Sequence, residues 1–109
     1  MSILSTLRDL RAGKPLARRS SHWPKLRAEW LKQYPACAAC GGDKHLEVHH
    51  KHPVHLFPGE ELVWSNLMTL CETPSFSCHL KVGHCGNWKL YRKKVIDAAA
   101  MVYEGLREP

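Results

Sequence analysis

A chain of 109 residues, 44% apolar and with 16 lysines and arginines against 10 aspartates and glutamates, makes one small domain with a thin core. Its net charge of +6 suits a polyanionic partner, nucleic acid before an anionic membrane surface. The longest uncharged apolar run, Ala98 to Tyr103, is too short to span a bilayer, and charges break every apolar run of MSILSTLRDLRAGK, so neither a membrane span nor a signal peptide is expected from these residues.

Ser2 to Arg11 is expected as a short helix, with Ile3, Leu4, Leu7 and Leu10 on one face and Gly13 and Pro15 ending it. Between Arg8 and Arg27 seven basic residues face one acid, Asp9, which makes residues 1–19 a basic arm able to lie along phosphates. The next helix is better specified. Ser20 or Ser21 can cap it, Pro24 fits its first turn, and Trp23, Leu26, Trp30 and Leu31 recur at helical spacing before Tyr34-Pro35 stops it. That stripe reads as core, because its aromatics need burial. Cys37-Ala38-Ala39-Cys40-Gly41-Gly42 then reads as a knuckle, and residues 45–50 alternate as a short strand with Leu46 and Val48 on one face. Pro53, Pro58 and Gly59 mark a loop, after which Glu60 to Trp64 either resumes pairing or starts a turn. Leu67 to Cys71 is a second short apolar stretch. Cys78 opens a brief helix closed by Gly83, and a longer helix is expected from about Asn87 to Glu104, with Tyr91, Val95, Ala98 and Val102 on one side and Gly105 at its end.

A cytoplasmic chain keeps its thiols reduced, so paired cysteines favour metal over disulfide. Cys37, Cys40, Cys71 and Cys78 offer four soft ligands, the set of a closed, structural Zn²⁺ site that stabilises a domain with little core. The first pair has the usual spacing; the second, CETPSFSC, has six intervening residues. Cys85 is left over.

Four of the eight histidines, His49, His50, His52 and His55, fall within seven positions. Neighbours on a strand point to opposite faces, so His49 and His50 cannot easily serve one ion: one can hold a metal while the other does different work. His79 follows Cys78, which would fix its backbone. His84 lies five residues later, beyond the spacing that aligns two side chains on an α-helix, unless Gly83 bends the chain. A set of His49, His79 and His84 would leave coordination positions open, as catalytic metal sites do.

The succession CAAC, LEVHH followed by Pro53, SNLMTLC and CH resembles the HNH endonuclease family, specifically its small zinc-stapled phage and bacterial members, over roughly Ser20 to Trp88. The resemblance implies a small α+β fold: a ββα-metal core stapled by the four cysteines, with flanking N- and C-terminal helices. It implies residues 1–19 as an arm, 20–88 as the nuclease core and 89–109 as a helix packed on the same domain. It also implies His49 as the first metal ligand, His50 as the general base, Asn66 as the residue that holds the strand–loop–helix geometry and orients the base, and His79 as motif residue and metal ligand. The longer Cys71–Cys78 loop and the His79-to-His84 interval depart from the family pattern. The implied cofactors are a structural Zn²⁺ and one catalytic divalent ion, Mg²⁺, Mn²⁺, Ni²⁺ or Zn²⁺, with a histidine-rich set leaning towards transition metals.

The implied substrate is DNA, nicked or cut in both strands with little sequence preference. Lys81, Lys89, Arg92 and Lys93, with Lys94 beside them and no acid before Asp97, are the expected phosphate contacts around Trp88. Phage packaging or host DNA-processing machinery is the partner class such members suggest. His52 and His55 are expected at the surface or in packing, and His22 and His45 as structural or exposed. The competing reading is a non-catalytic zinc module that binds nucleic acid through its basic surface; it leaves His50, Asn66 and His79 together without a purpose. A protein-binding zinc ribbon explains the cysteines but neither the histidines nor the charge.

Overall fold

In the computed structural model, which describes residues 19–108, strand β1 (Leu46–His50) pairs antiparallel with strand β2 (Leu67–Cys71). The register sets Val48 opposite Thr69, His49 opposite Met68 and His50 opposite Leu67. Opposed residues share a face and successive residues alternate, so His50, Val48, Leu67 and Thr69 lie on one side of the sheet and His49, Met68 and Leu70 on the other. Both faces are covered, so all of LMTLC is buried and the strand lacks an apolar–polar alternation.

Helix α1 (Trp23–Gln33) covers the His50 face. Trp23 and Trp30 bury against Val48 and Leu67, with Leu26, Leu31 and Trp64 around them. Trp30 donates its indole N–H to the Thr69 hydroxyl at 2.9 Å, and that hydroxyl donates to the Tyr34 carbonyl at 2.8 Å, so the polar atoms buried here are paired. The N-cap position is His22 rather than either serine, and no side chain caps the helix. Ser20 acts one step earlier, its hydroxyl accepting from the His22 N–H at 3.1 Å.

The His49 face is covered by a five-residue π turn (His79–Gly83) and by helix α2 (Val95–Gly105). Val82, Val95 and Ala99 join Met68, Leu70 and three of the cysteines in the second core cluster. Helix α2 begins eight residues later than the expected Asn87 start. Residues 87–94 are held instead as turns against the π turn: Asn87 Oδ1 accepts from the Lys89 N–H, and the Arg92 N–H donates to the Gly83 carbonyl. Tyr91 therefore precedes the helix, and Ala99 joins Val95 on its buried side. Glu60 to Trp64 is turn rather than strand, lying between short 3-10 segments at Pro58–Glu60 and Trp64–Asn66. The expected helix over Ser2 to Arg11 lies outside the described residues.

Candidate metal centres and active site

The ligating atoms of Cys37, Cys40, Cys71 and Cys78 all lie within 4.8 Å of one another. Their knuckle is built by backbone donors. The Cys40 N–H points at Cys37 Sγ (3.5 Å) and the Gly42 N–H at Cys40 Sγ (3.4 Å), while Gly41 takes a φ of 79° that suits glycine. Cys71 ends β2, and Cys78 is the N-cap position of the π turn. The six-residue interval between them closes because it folds on itself: Ser77 donates its N–H and its hydroxyl to the Thr73 carbonyl, and Thr73 Oγ1 accepts from the Phe76 N–H.

The thiols do not ionise alike. Burial opposes ionisation of Cys71, but hydrogen bonds from the Thr73 hydroxyl and the backbone of Thr73 and Cys78 outweigh it and bring its pKa to about 6. Burial, then the charge of Cys37 and hydrogen bonding with Cys71, push Cys78 far up. Burial also raises Cys40. Four converging thiols with no imidazole or carboxylate among them fit a tetrahedral zinc ion, whose charge would remove this mutual penalty.

A second group, His49, His79 and His84, likewise places its ligating nitrogens within 4.8 Å of one another. The ring centroids form a nearly equilateral triangle, 5.1 Å for His49–His79, 4.9 Å for His49–His84 and 5.0 Å for His79–His84. In an α-helix five residues turn the chain about 140° past one full revolution, which would part His79 from His84. The π turn absorbs the extra residue and brings both to one side. Gly83 makes room for the third ring, since a Cβ there would stand 2.9 Å from His49 Cε1. Nδ1 of His79 lies 3.0 Å from Glu72 Oε1, and Nδ1 of His84 lies 2.7 Å from the Leu90 carbonyl oxygen. Those oxygens only accept, so each Nδ1 carries a proton, which leaves Nε2 as the atom able to bind an ion. Trp88 packs on both rings, at 5.1 and 5.0 Å. Three imidazoles in a partly enclosed triangle fit a divalent ion with open positions, with a preference for transition metals.

His50 emerges on the opposite face, as the pleat requires. It is buried, packs on Trp23 at 4.5 Å, and hydrogen-bonds through Nε2 to the Glu61 carbonyl at 2.9 Å. Nε2 is therefore the donor, which leaves Nδ1 as the basic atom. Burial lowers the His50 pKa; the bond to Glu61 opposes this in part, and the Arg19 charge adds to it. The net effect favours the neutral ring. Asn66 does not touch the imidazole through any bond seen here. Its Nδ2 donates to the His52 and Glu60 carbonyls, each at 3.1 Å, and its Oδ1 accepts from the His52 N–H at 2.8 Å. It ties the end of β1 to the loop whose next carbonyl, that of Glu61, holds His50. Glu61 is itself anchored, its Oε2 accepting from the Ser20 N–H at 2.8 Å.

Of the expected phosphate contacts, Lys81, Lys89 and Lys93 are exposed. Arg92 turns inward, donating from Nε to the Val82 carbonyl at 2.8 Å and from Nη2 to the Lys81 carbonyl at 3.3 Å. Lys93 and Lys94 line an open groove of about 440 Å³ with Lys51, His52 and Asn66. His52 is exposed but engaged, 3.0 Å from Glu60 Oε2 and stacked near Phe57. Glu61, Glu72 and Trp88 escape a reading by motif; only the position of Glu72 directly after a cysteine hints at its place. No helix among the described residues is long and apolar enough to cross a membrane.

Against known proteins, residues 37–84 match the family model described as HNH endonuclease, a span that begins at the first cysteine and ends at the third histidine of the triangle. Neither the curated proteins nor the solved structures contain a match.

Proposed function

We propose that this chain, whose residues 37–84 match the HNH endonuclease family model, is a nuclease of that kind and hydrolyses DNA phosphodiester bonds, with His50 as general base and His49, His79 and His84 as ligands of one catalytic divalent ion. The observation that carries this reading is the split of two adjacent histidines: His49 joins a three-imidazole triangle, while His50, on the other face, is fixed with Nδ1 as its basic atom. A zinc-binding module needs neither.

Nδ1 of His50 takes the proton of an attacking water as its oxygen bonds to phosphorus and the bond to the 3′ oxygen breaks. Trp23 packs on the ring and the Glu61 carbonyl accepts from Nε2, which together hold the imidazole with Nδ1 as its basic atom. Asn66 keeps that carbonyl in place through the Glu60 and His52 backbone. A divalent ion bound by the three histidines supplies charge relief at the phosphate and the leaving oxygen. The four cysteines hold a structural Zn²⁺ that fixes the ends of β2 and the π turn. Lys81, Lys89 and Lys93 contact flanking phosphates without reading sequence, and Arg92 anchors the loop that carries Lys89 and Lys93 while adding its charge. Residues 20–88 form the nuclease core, the arm 1–19 adds basic charge along the backbone, and 89–109 completes the same domain. The reaction runs in the cytoplasm.

The test is nicking of supercoiled plasmid, compared in EDTA, Mg²⁺, Mn²⁺, Ni²⁺ and Zn²⁺, by wild type and by a folded, zinc-loaded His50→Ala protein. Metal-dependent nicking that falls by about 10²–10⁴-fold in the variant is expected from loss of a general base. DNA binding without cleavage in any metal would give the binding-module reading its due; equal activity in the variant would remove His50 from the role.

A further inference from the structure

The two metal-ligand groups meet along the chain at Cys78–His79, and a hydrogen bond ties them a second time. Cys71 of the thiol group is followed by Glu72, and Cys78 of the same group is followed by His79 of the imidazole group. Across the gap, Glu72 Oε1 stands 3.0 Å from His79 Nδ1, with the imidazole 7% and the carboxylate 20% exposed. The Glu72 backbone is pinned as well, its N–H donating to the His45 carbonyl at 2.8 Å.

Resting on the reading of the histidines as a metal centre, we infer that Glu72 is the positioning residue of that centre: its carboxylate holds the His79 proton on Nδ1, keeps Nε2 aimed into the triangle, and links that aim to the four-cysteine group through Cys71. An imidazole in water favours the tautomer with the proton on Nε2, which is the wrong atom for a ligand that must present Nε2. A carboxylate at Nδ1 reverses the preference and makes Nε2 more basic. His84 obtains the same service from the Leu90 backbone carbonyl. Glu72 is thus a side-chain partner that substitution can remove without altering a ligand. Because Glu72 and His79 each follow a cysteine of the thiol group, zinc binding there would set both partners of the hydrogen bond.

The experiment uses the full chain with zinc at the cysteines, as wild type, Glu72→Ala and Glu72→Gln. Co²⁺ is titrated into the histidine centre and followed by its visible spectrum, and the His79 tautomer is read beforehand from ¹⁵N chemical shifts of the imidazole. Wild type is expected to show the Nδ1–H tautomer. Glu72→Ala is expected to lose it and bind Co²⁺ about 10–100-fold more weakly, the usual cost of removing such a partner. Glu72→Gln, whose amide oxygen still accepts from Nδ1–H, is expected to keep the tautomer and recover most of the affinity. Zinc content and melting temperature guard against a general structural effect. A wild-type His79 with its proton on Nε2 would overturn the inference even if the alanine variant did not fold, and so would unchanged Co²⁺ affinity in Glu72→Ala. Wild type that takes up no Co²⁺ beyond the cysteines would overturn the metal-centre reading itself, a different result from wild type and variant binding alike.

Discussion

Gly83→Ala adds one methyl group beside the proposed metal centre and nothing else. The added Cβ would stand 2.9 Å from His49 Cε1, 3.1 Å from Nδ1 and 3.2 Å from Nε2. Carbon atoms in contact settle at about 3.5–4.0 Å, so the ring must retreat by roughly 0.5–1 Å. It has little room to do so. His49 is 1% exposed and is faced by the rings of His79 and His84 at 5.1 and 4.9 Å. Nor is the glycine required by its backbone, since the glycines at positive φ among the described residues are Gly41 and Gly86. The cost is therefore local overpacking, about 1–3 kcal/mol of stability. The same displacement falls on a ligand, and a 1 Å misplacement in an active site typically costs about 10²-fold in rate. The expected outcome is a folded protein with full zinc content at the cysteines, weaker Co²⁺ binding at the histidines and plasmid cleavage down about 100-fold. Gly59→Ala, where an added Cβ meets nothing within 4 Å, is the matched control and should behave as wild type. A folded Gly83→Ala protein that binds Co²⁺ and cleaves like wild type would refute the claim that the seat of His49 depends on this missing methyl.

Other consequences are as direct. Asn66→Asp replaces an amide that donates to the His52 and Glu60 carbonyls with an oxygen facing both; a loss of about 1–3 kcal/mol or more is expected, visible as a lower melting temperature, with cleavage falling alongside it. Metal removal should proceed in two stages. A mild chelator stops cleavage while circular dichroism and tryptophan fluorescence hold, and stripping the cysteines then unfolds the domain, because its second core cluster is built around those thiols. Lys81→Ala and Lys89→Ala should each weaken DNA binding about equally across sequences and lower the dependence of log K on log salt by about one, measured by fluorescence anisotropy at several salt concentrations.

Much of the fold could be read from local pattern. Trp23, Leu26, Trp30 and Leu31 share a helical stripe, and the cysteine spacing anticipates a group that the structure brings within 4.8 Å. The pleat of β1 separates His49 from His50 on arithmetic alone. Legibility ended where long-range partners decide. The spacing predicts helix α2 from Asn87 because Tyr91 falls in register with Val95, Ala98 and Val102, yet residues 87–94 form turns, with Arg92 hydrogen-bonded back to the π turn. The membership of His84 in the triangle was open for a related reason: α-helical geometry is the wrong ruler for an interval spanned by a π turn. Glu72, seven residues before His79, is placed by the fold of the intervening loop, which no spacing rule describes.

The π turn also explains why an arginine stands at position 92. The last carbonyls of any helical segment lack donors from within it. A single turn that ends at Gly83 and is followed by Cys85 at a φ of 55° has no continuing helix to supply them. Arg92 meets three in succession: its backbone N–H serves Gly83, its Nε serves Val82 and its Nη2 serves Lys81. A lysine carries its donors on one nitrogen and has no planar fork with which to serve Val82 and Lys81 together. By closing residues 84–92 into a loop, the same contacts bring the Leu90 carbonyl to 2.7 Å from His84 Nδ1. A basic residue that looks from the sequence like one more phosphate contact thus sits two residues from the carbonyl that sets the tautomer of the third imidazole, and its first effect on the histidine triangle is exerted through that loop.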